Sequence, residues 1–255
     1  MDLGISNKTF LITGSSRGIG RSIAHSFLEE GAKVLMVARG EKKLTETSVY
    51  FQNKFGKKNV SAWTFDLTKE TNVNTLKKKV VEHCGELDGL IANVGDGKSL
   101  PDPITSSKHW QSIWSKNFET ALFTSRAFLP LLRKNGVIIF ISSICGVEAL
   151  GGPVDYSVAK AALLSFSKNL ARKVAPDVRV NVVAPGNVLF EGSSWEEKIE
   201  NDSESVNSMI QSCVPMKRFG KPEEIADAVV FLCSKKSAFT TGACLVVDGG
   251  QTKSL

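Results

Sequence analysis

Short, almost wholly apolar runs recur along the chain, and most are separated by longer stretches with helical spacing. The runs are Lys8–Thr13, Lys33–Ala38, Asn59–Phe65, Leu87–Ala92, Gly136–Ser142, Val178–Ala184 and Ala243–Val247. Strands apolar on both faces belong in a parallel sheet that helices cover on both sides. Helical stretches at 18–30, 42–55, 69–84, 106–133, 156–174 and 222–234 supply that cover. In the first, Ile19, Ile23, Ala24 and Phe27 share one face and Gly31 ends the pattern. Crossovers between parallel strands are right-handed, which leaves an open, doubly wound sheet as the simplest topology. No linker or internal repeat interrupts the rhythm. The expectation is an α/β fold: a single doubly wound domain over 1–255, with a seven-stranded, mostly parallel sheet and helices on both faces.

One segment breaks the rhythm. Residues 187–220 separate the sixth strand from the last helix, far more than the roughly 2–6 residues of an ordinary connection. It carries Glu191, Glu196, Glu197, Glu200, Asp202, Glu204 and Trp195. An insertion at the carboxyl edge of a parallel sheet is placed to cover a ligand, here a substrate.

Composition excludes several classes. Hydrophobic residues make up 42% and charged residues 23%, so the chain is globular rather than disordered or fibrous. No apolar run reaches the ~18–20 residues of a membrane helix. Met1–Asn7 lacks a secretory pattern, so a cytoplasmic protein with no membrane partner is expected. The net charge is +6, but the lysine runs lack interleaved aromatic residues, which argues against nucleic acid. Cys84, Cys145, Cys213, Cys233 and Cys244 form no C-x-x-C pair. His25, His83 and His109 are scattered, so neither a disulfide framework nor a metal site is expected.

The first strand runs into Thr13-Gly14-Ser15-Ser16-Arg17-Gly18-Ile19-Gly20. Glycines are needed where a strand turns sharply into a helix and backbone N–H groups must approach a pyrophosphate. The turn therefore reads as a dinucleotide cradle of a Rossmann-like domain, with Gly14, Ser16, Arg17, Gly18, Ile19 and Gly20 as its contacts. The second strand ends at Ala38-Arg39, and no acid follows until Glu41. A carboxylate at this point would hold a ribose 2′-hydroxyl; Arg39 suits a 2′-phosphate, and Arg17 adds a second cation. The expected cofactor is NADP(H).

Tyr156 and Lys160 stand four residues apart on one helix face, so phenol and ammonium can converge. A free tyrosine titrates near ~10, and a nearby cation favours phenolate and lowers that value. With these residues in view, the whole chain resembles the short-chain dehydrogenase/reductase family in its single-domain form. It is similar to the 3-oxoacyl-carrier-protein reductase branch. The match runs through the glycine turn, Asp66, Asn93–Gly95, Asn117, Ser142-Ser143, Tyr156 with Lys160, Pro185-Gly186 and Val247-Asp248-Gly249-Gly250.

The resemblance implies a catalytic set of Asn117, Ser143, Tyr156 and Lys160. Ser143 would hydrogen-bond the substrate oxygen. Tyr156 would act as acid in reduction and base in oxidation. Lys160 would lower the tyrosine pKa and hold the nicotinamide ribose, and Asn117 would help hold a relay water. Asp66 and Leu67 would contact the adenine. Asn93, Gly95, Pro185, Gly186 and Val188 would line the cofactor, which Tyr156 and Lys160 also touch. A homotetramer or homodimer packed through the helices carrying Asn117 and Tyr156 is implied as well. Two positions depart from the pattern: Ala92-Asn93-Val94-Gly95 replaces Asn-Asn-Ala-Gly, and Phe190 stands where a threonine often meets the nicotinamide carboxamide.

The expected activity is interconversion of a carbonyl and a secondary alcohol. Its small-molecule substrate is either a 3-oxoacyl thioester, which is carrier-linked, or a polar keto-sugar-like metabolite. The competing class is a sensor or scaffold that binds cofactor without turnover, for which an acid–base pair is needless.

Overall fold

The apolar runs lie side by side in a computed structural model that describes residues 2–98, 100 and 102–254. They form β1 (Thr9–Thr13), β2 (Lys33–Ala38), β3 (Val60–Thr64), β4 (Leu87–Ala92), β5 (Leu132–Ile141), β6 (Val178–Pro185) and β7 (Cys244–Val247). The sheet order is β3-β2-β1-β4-β5-β6-β7, and every neighbouring pair is parallel.

Side-chain alternation explains why the central strands are apolar on both faces. Phe10, Ile12, Val34, Met36 and Ile139 point to one face, where α1 (Gly18–Glu29), α2 (Glu41–Phe55) and α9 (Pro222–Cys233) pack through Phe27, Phe51 and Val229. Leu11, Leu35, Leu90, Ile138 and Phe140 point to the other. There α3 (Glu70–Cys84), α5 (Thr120–Phe128) and α6 (Val154–Val174) pack through Leu76, Phe128 and Leu163. Two cores thus sandwich one sheet. Among the described residues no helix is long and apolar enough to cross a membrane.

The stretch read as one long helix over 106–133 is built differently. It consists of α4 (Ser107–Trp114), a π-helical turn at Ser115–Glu119, α5, and a 3₁₀ turn at Leu129–Leu131. Ser106 starts it by accepting a hydrogen bond from the His109 N–H. Pro130 lies in the closing turn, where the missing N–H stops the helix. Chain freed by that stop joins the sheet early: β5 begins at Leu132, paired with Leu87, rather than at Gly136. A register shift between Leu87 and Gly89 absorbs the extra residues.

The segment after β6 is largely helical, with α7 (Ser194–Asn201) and α8 (Ser203–Cys213). Each helix starts on a polar cap. Ser193 Oγ accepts from the Glu196 N–H at 3.2 Å, and Asp202 Oδ1 from the Ser205 N–H at 3.0 Å.

Candidate active site

The strand order reverses between β1 and β4, and a cleft of about 890 Å³ opens at the carboxyl ends of these strands. Its wall includes Gly14, Ser16, Arg17, Ile19 and Gly20 from the glycine turn. Arg39, Asp66 and Leu67 follow from the ends of β2 and β3, and Asn93 and Gly95 from the end of β4. Ser143, Tyr156, Lys160, Pro185, Gly186 and Val188 complete it.

Backbone packing shapes the turn. Gly14 has φ +68°, in the left-handed region that favours glycine. A Cβ on Gly20 would stand 2.3 Å from the Gly14 carbonyl oxygen, so α1 leaves the strand at a distance only glycine allows. Asn93 locks the turn to β4: its Nδ2 donates to the carbonyls of Thr13 and Gly14 at 3.1 and 3.2 Å. Thr13 Oγ1 accepts the Asn93 N–H in return, at 3.0 Å. The first turn of α1 has no capping side chain and no acid, so its N–H groups face the cleft. This cradle fits a dinucleotide pyrophosphate.

At the end of the cleft beside β3, Asp66 Oδ1 accepts from Thr68 Oγ1 at 2.7 Å and from the Thr68 N–H at 3.1 Å. Burial pushes this carboxyl up, but those two hydrogen bonds, with the charges of Lys69 and Arg39, hold Asp66 below its ordinary value. Lys43, on the first turn of α2, stands on the same wall as Arg39.

The other end holds the acid–base groups. Ser143 follows β5, and Tyr156 and Lys160 rise from the first turns of α6. Lys160 is 3% exposed. Its Nζ donates to the Ile141 carbonyl at 3.0 Å and lies 5.7 Å from the centroid of the Tyr156 ring. Gly95 lets it in: a Cβ there would stand 2.9 Å from Nζ and 3.0 Å from Asn117 Oδ1. Burial pushes Lys160 down to about 8 and the Tyr156 phenol up to about 12. A hydrogen bond with Ser143 pulls the phenol the other way without offsetting its burial. The charge argument from sequence anticipates a lowered phenol; desolvation reverses the sign.

Asn117 stands behind this wall, fully buried in the π-helical turn. Its Nδ2 donates to the carbonyls of Ile113 and Asp96, and its Oδ1 accepts the Asp96 N–H, each at 3.0 Å. The amide pins the loop after β4 to the helix. Gly18 also lies outside the wall, because the Phe190 ring covers it.

Sequence reasoning missed four charged lining residues: Lys43, Asp96, Lys98 and Lys116. Asp96 and Lys116 pair with each other at 3.2 Å, while Lys98 pairs with Glu197 and Lys43 with Glu191. These pairs join residues far apart in sequence, so no local spacing signals them.

Residues 14–252 match the model of a family described as enoyl-(acyl carrier protein) reductase. The chain belongs to the short-chain dehydrogenase/reductase family of oxidoreductases. Among particular relatives, the 3-oxoacyl-[acyl-carrier-protein] reductase FabG of Escherichia coli (strain K12) is 34% identical. The alignment covers 96% of this chain and 97% of that protein. The L-sorbose reductase of Gluconobacter frateurii, solved with NADPH and L-sorbose, is 36% identical with a TM-score of 0.93 over the whole of both chains. An NADPH-bound short chain oxidoreductase from Pseudomonas aeruginosa is 28% identical, with a TM-score of 0.91 over 98% of this chain and 99% of that one.

Proposed function

We propose that the protein is an NADP(H)-dependent oxidoreductase that interconverts a polar ketone and a secondary alcohol. The observation that carries this is the convergence of Ser143, Tyr156 and Lys160 on one wall of the cleft that the glycine turn closes at its other end. NADPH in the related structures supports the coenzyme.

Gly14, Ser16 and Ile19 hold the pyrophosphate with backbone groups, while Arg17 and Arg39 meet the phosphates as cations. Asp66 and Leu67 receive the adenine; Gly95, Pro185, Gly186 and Val188 line the nicotinamide half. When bound, the nicotinamide supplies or accepts the hydride at the carbonyl carbon. Ser143 Oγ donates a hydrogen bond to the substrate oxygen, and Tyr156 Oη delivers the proton. A phenol held up at about 12 is fully protonated near neutrality, the state that reduction needs. Lys160 would hold the ribose and pass a proton back to the phenol. With its side-chain amide fully engaged, Asn117 would steady a relay water through its backbone carbonyl.

Asp96, Lys98, Lys116, Ser194 and Trp195 place charged and polar groups in the cleft. Such a wall suits a hydroxylated ketone better than an acyl chain. The segment at 187–220 covers the substrate. The thioester reading draws its support from the relationship to the FabG reductase. NADPH consumption with a panel of keto-sugars beside an acetoacetyl thioester separates the two. Turnover of keto-sugars supports the polar reading, and turnover of the thioester alone overturns it. We further propose a cytoplasmic dimer or tetramer, for which Val154 and Val158, 47% and 43% exposed on α6, offer apolar contact.

A further inference from the structure

Three successive residues of the segment after β6 touch the phosphate end of the cleft. Phe190 lays its ring on Gly18, where a Cβ would stand 2.4 Å from the ring. Glu191 Oε1 lies 3.3 Å from Lys43 Nζ. The Gly192 carbonyl accepts from Arg17 Nη1 at 2.8 Å. Gly192 itself has φ +75°, a backbone conformation that strains any residue with a side chain. Arg17 belongs to the glycine turn, and Lys43 stands in the first turn of α2, four residues after Arg39. Two cations of the phosphate end are therefore already engaged, one by a carboxylate and one by a carbonyl of the chain itself.

We propose that Glu191 is a specificity-determining residue: an internal anion that competes with the coenzyme's 2′-phosphate for Lys43. The proposal rests on the NADP(H) reading above. A 2′-phosphate brought beside Arg39 and Lys43 meets the carboxylate as a like charge. Either Glu191 leaves or the phosphate binds against its repulsion. NADH carries only an uncharged 2′-hydroxyl there and leaves the Lys43–Glu191 pair undisturbed. Glu191 thus lowers affinity for NADPH selectively. Both partners are exposed, Lys43 at 46% and Glu191 at 81%, so the competition is modest and screened by salt.

The test is equilibrium titration of wild type, Glu191→Gln, Lys43→Met and the double variant with NADPH and with NADH, read by protein fluorescence. Glu191→Gln is expected to bind NADPH about two- to five-fold more tightly at low ionic strength, the range of an exposed ion pair. Its NADH affinity should stay at the wild-type value. The gain should vanish near ~0.5 M salt, where the screening length is a few ångströms. It should also vanish when Glu191→Gln is combined with Lys43→Met. No tightening, or equal tightening for both coenzymes, overturns the proposal. If wild type binds no NADPH at all, the coenzyme reading falls, and this proposal with it.

Discussion

At Tyr156 and Lys160 two influences on a titrating group pull against each other. Spacing alone brings a cation to a phenol, and by charge that favours phenolate. Burial favours the neutral form of both groups, and burial wins: the phenol goes up to about 12 and the ammonium down to about 8. Tyr156→Phe removes the proton donor without disturbing the coenzyme end. Turnover should fall by about 10²–10⁴, the usual worth of a general acid, while the NADPH dissociation constant changes little. A variant that still turns over at the wild-type rate would remove Tyr156 from its role. Arg39 carries the second prediction. Losing a charge-assisted bond to phosphate costs about 1.5–3 kcal/mol, so Arg39→Ala should weaken NADPH about ten-fold or more and spare NADH. Parallel titrations decide it, and equal losses would make Arg39 a surface residue. That Tyr156 and Lys160 meet was legible in the sequence because their spacing is local, and the fold sets both on the cleft that Arg39 also lines. The direction of the phenol's shift was not legible, because desolvation depends on what the fold packs around it.

The π-helical turn is the element on which the catalytic end leans. Helical periodicity over 106–133 was readable, but a single widened turn within it was not, since one inserted residue barely disturbs an apolar pattern. Asn117 closes that turn with three hydrogen bonds from a side chain with no exposure. Asn117→Ala leaves carbonyls of Ile113 and Asp96 and the Asp96 N–H without those partners. At about 1–3 kcal/mol for an unsatisfied buried group, the variant should lose about 2–4 kcal/mol of stability. The check is a lower urea midpoint at unchanged slope, and an unchanged midpoint would show that the amide is dispensable. The glycine turn was readable for the opposite reason: its spacing and its place between strand and helix are both local. Its partner Asn93 was readable only through family resemblance, and its role as a latch on Thr13 and Gly14 emerges from the register of β1 against β4.

Over the whole molecule, seven strands and their helical cover followed from the apolar runs, whereas strand order and the ties across the cleft did not. Pairings such as Lys43–Glu191 join residues 148 positions apart, and sequence periodicity carries no signal over that distance. Stability against pH tests the buried lysine globally. With Lys160 at about 8 in the fold and near ~10.4 unfolded, the unfolded chain binds more protons between these values. Lys160 therefore makes stability rise with pH across that window. For Tyr156 the sign reverses: its fold value of about 12 exceeds the unfolded one, so its contribution falls as pH climbs from ~10 to 12. Chemical denaturation at pH ~8 and ~10 should show the alkaline gain in wild type relative to Lys160→Met, and matching profiles would count against the lowered value of Lys160, since an ammonium that stays charged in the fold adds no slope.

The reversal of strand order has one more consequence. Arg39 lies at the end of β2, on one side of β1, while Ser143 and Tyr156 follow β5, on the far side of β4. On the proposed function, coenzyme discrimination at Arg39 and proton handling at Ser143 and Tyr156 sit on separate halves of one sheet, and Glu191 reaches back from the segment after β6 to Lys43. A lineage exchanging one reducing currency for another would then alter the end of β2 and that segment, and leave the proton-handling groups as they are.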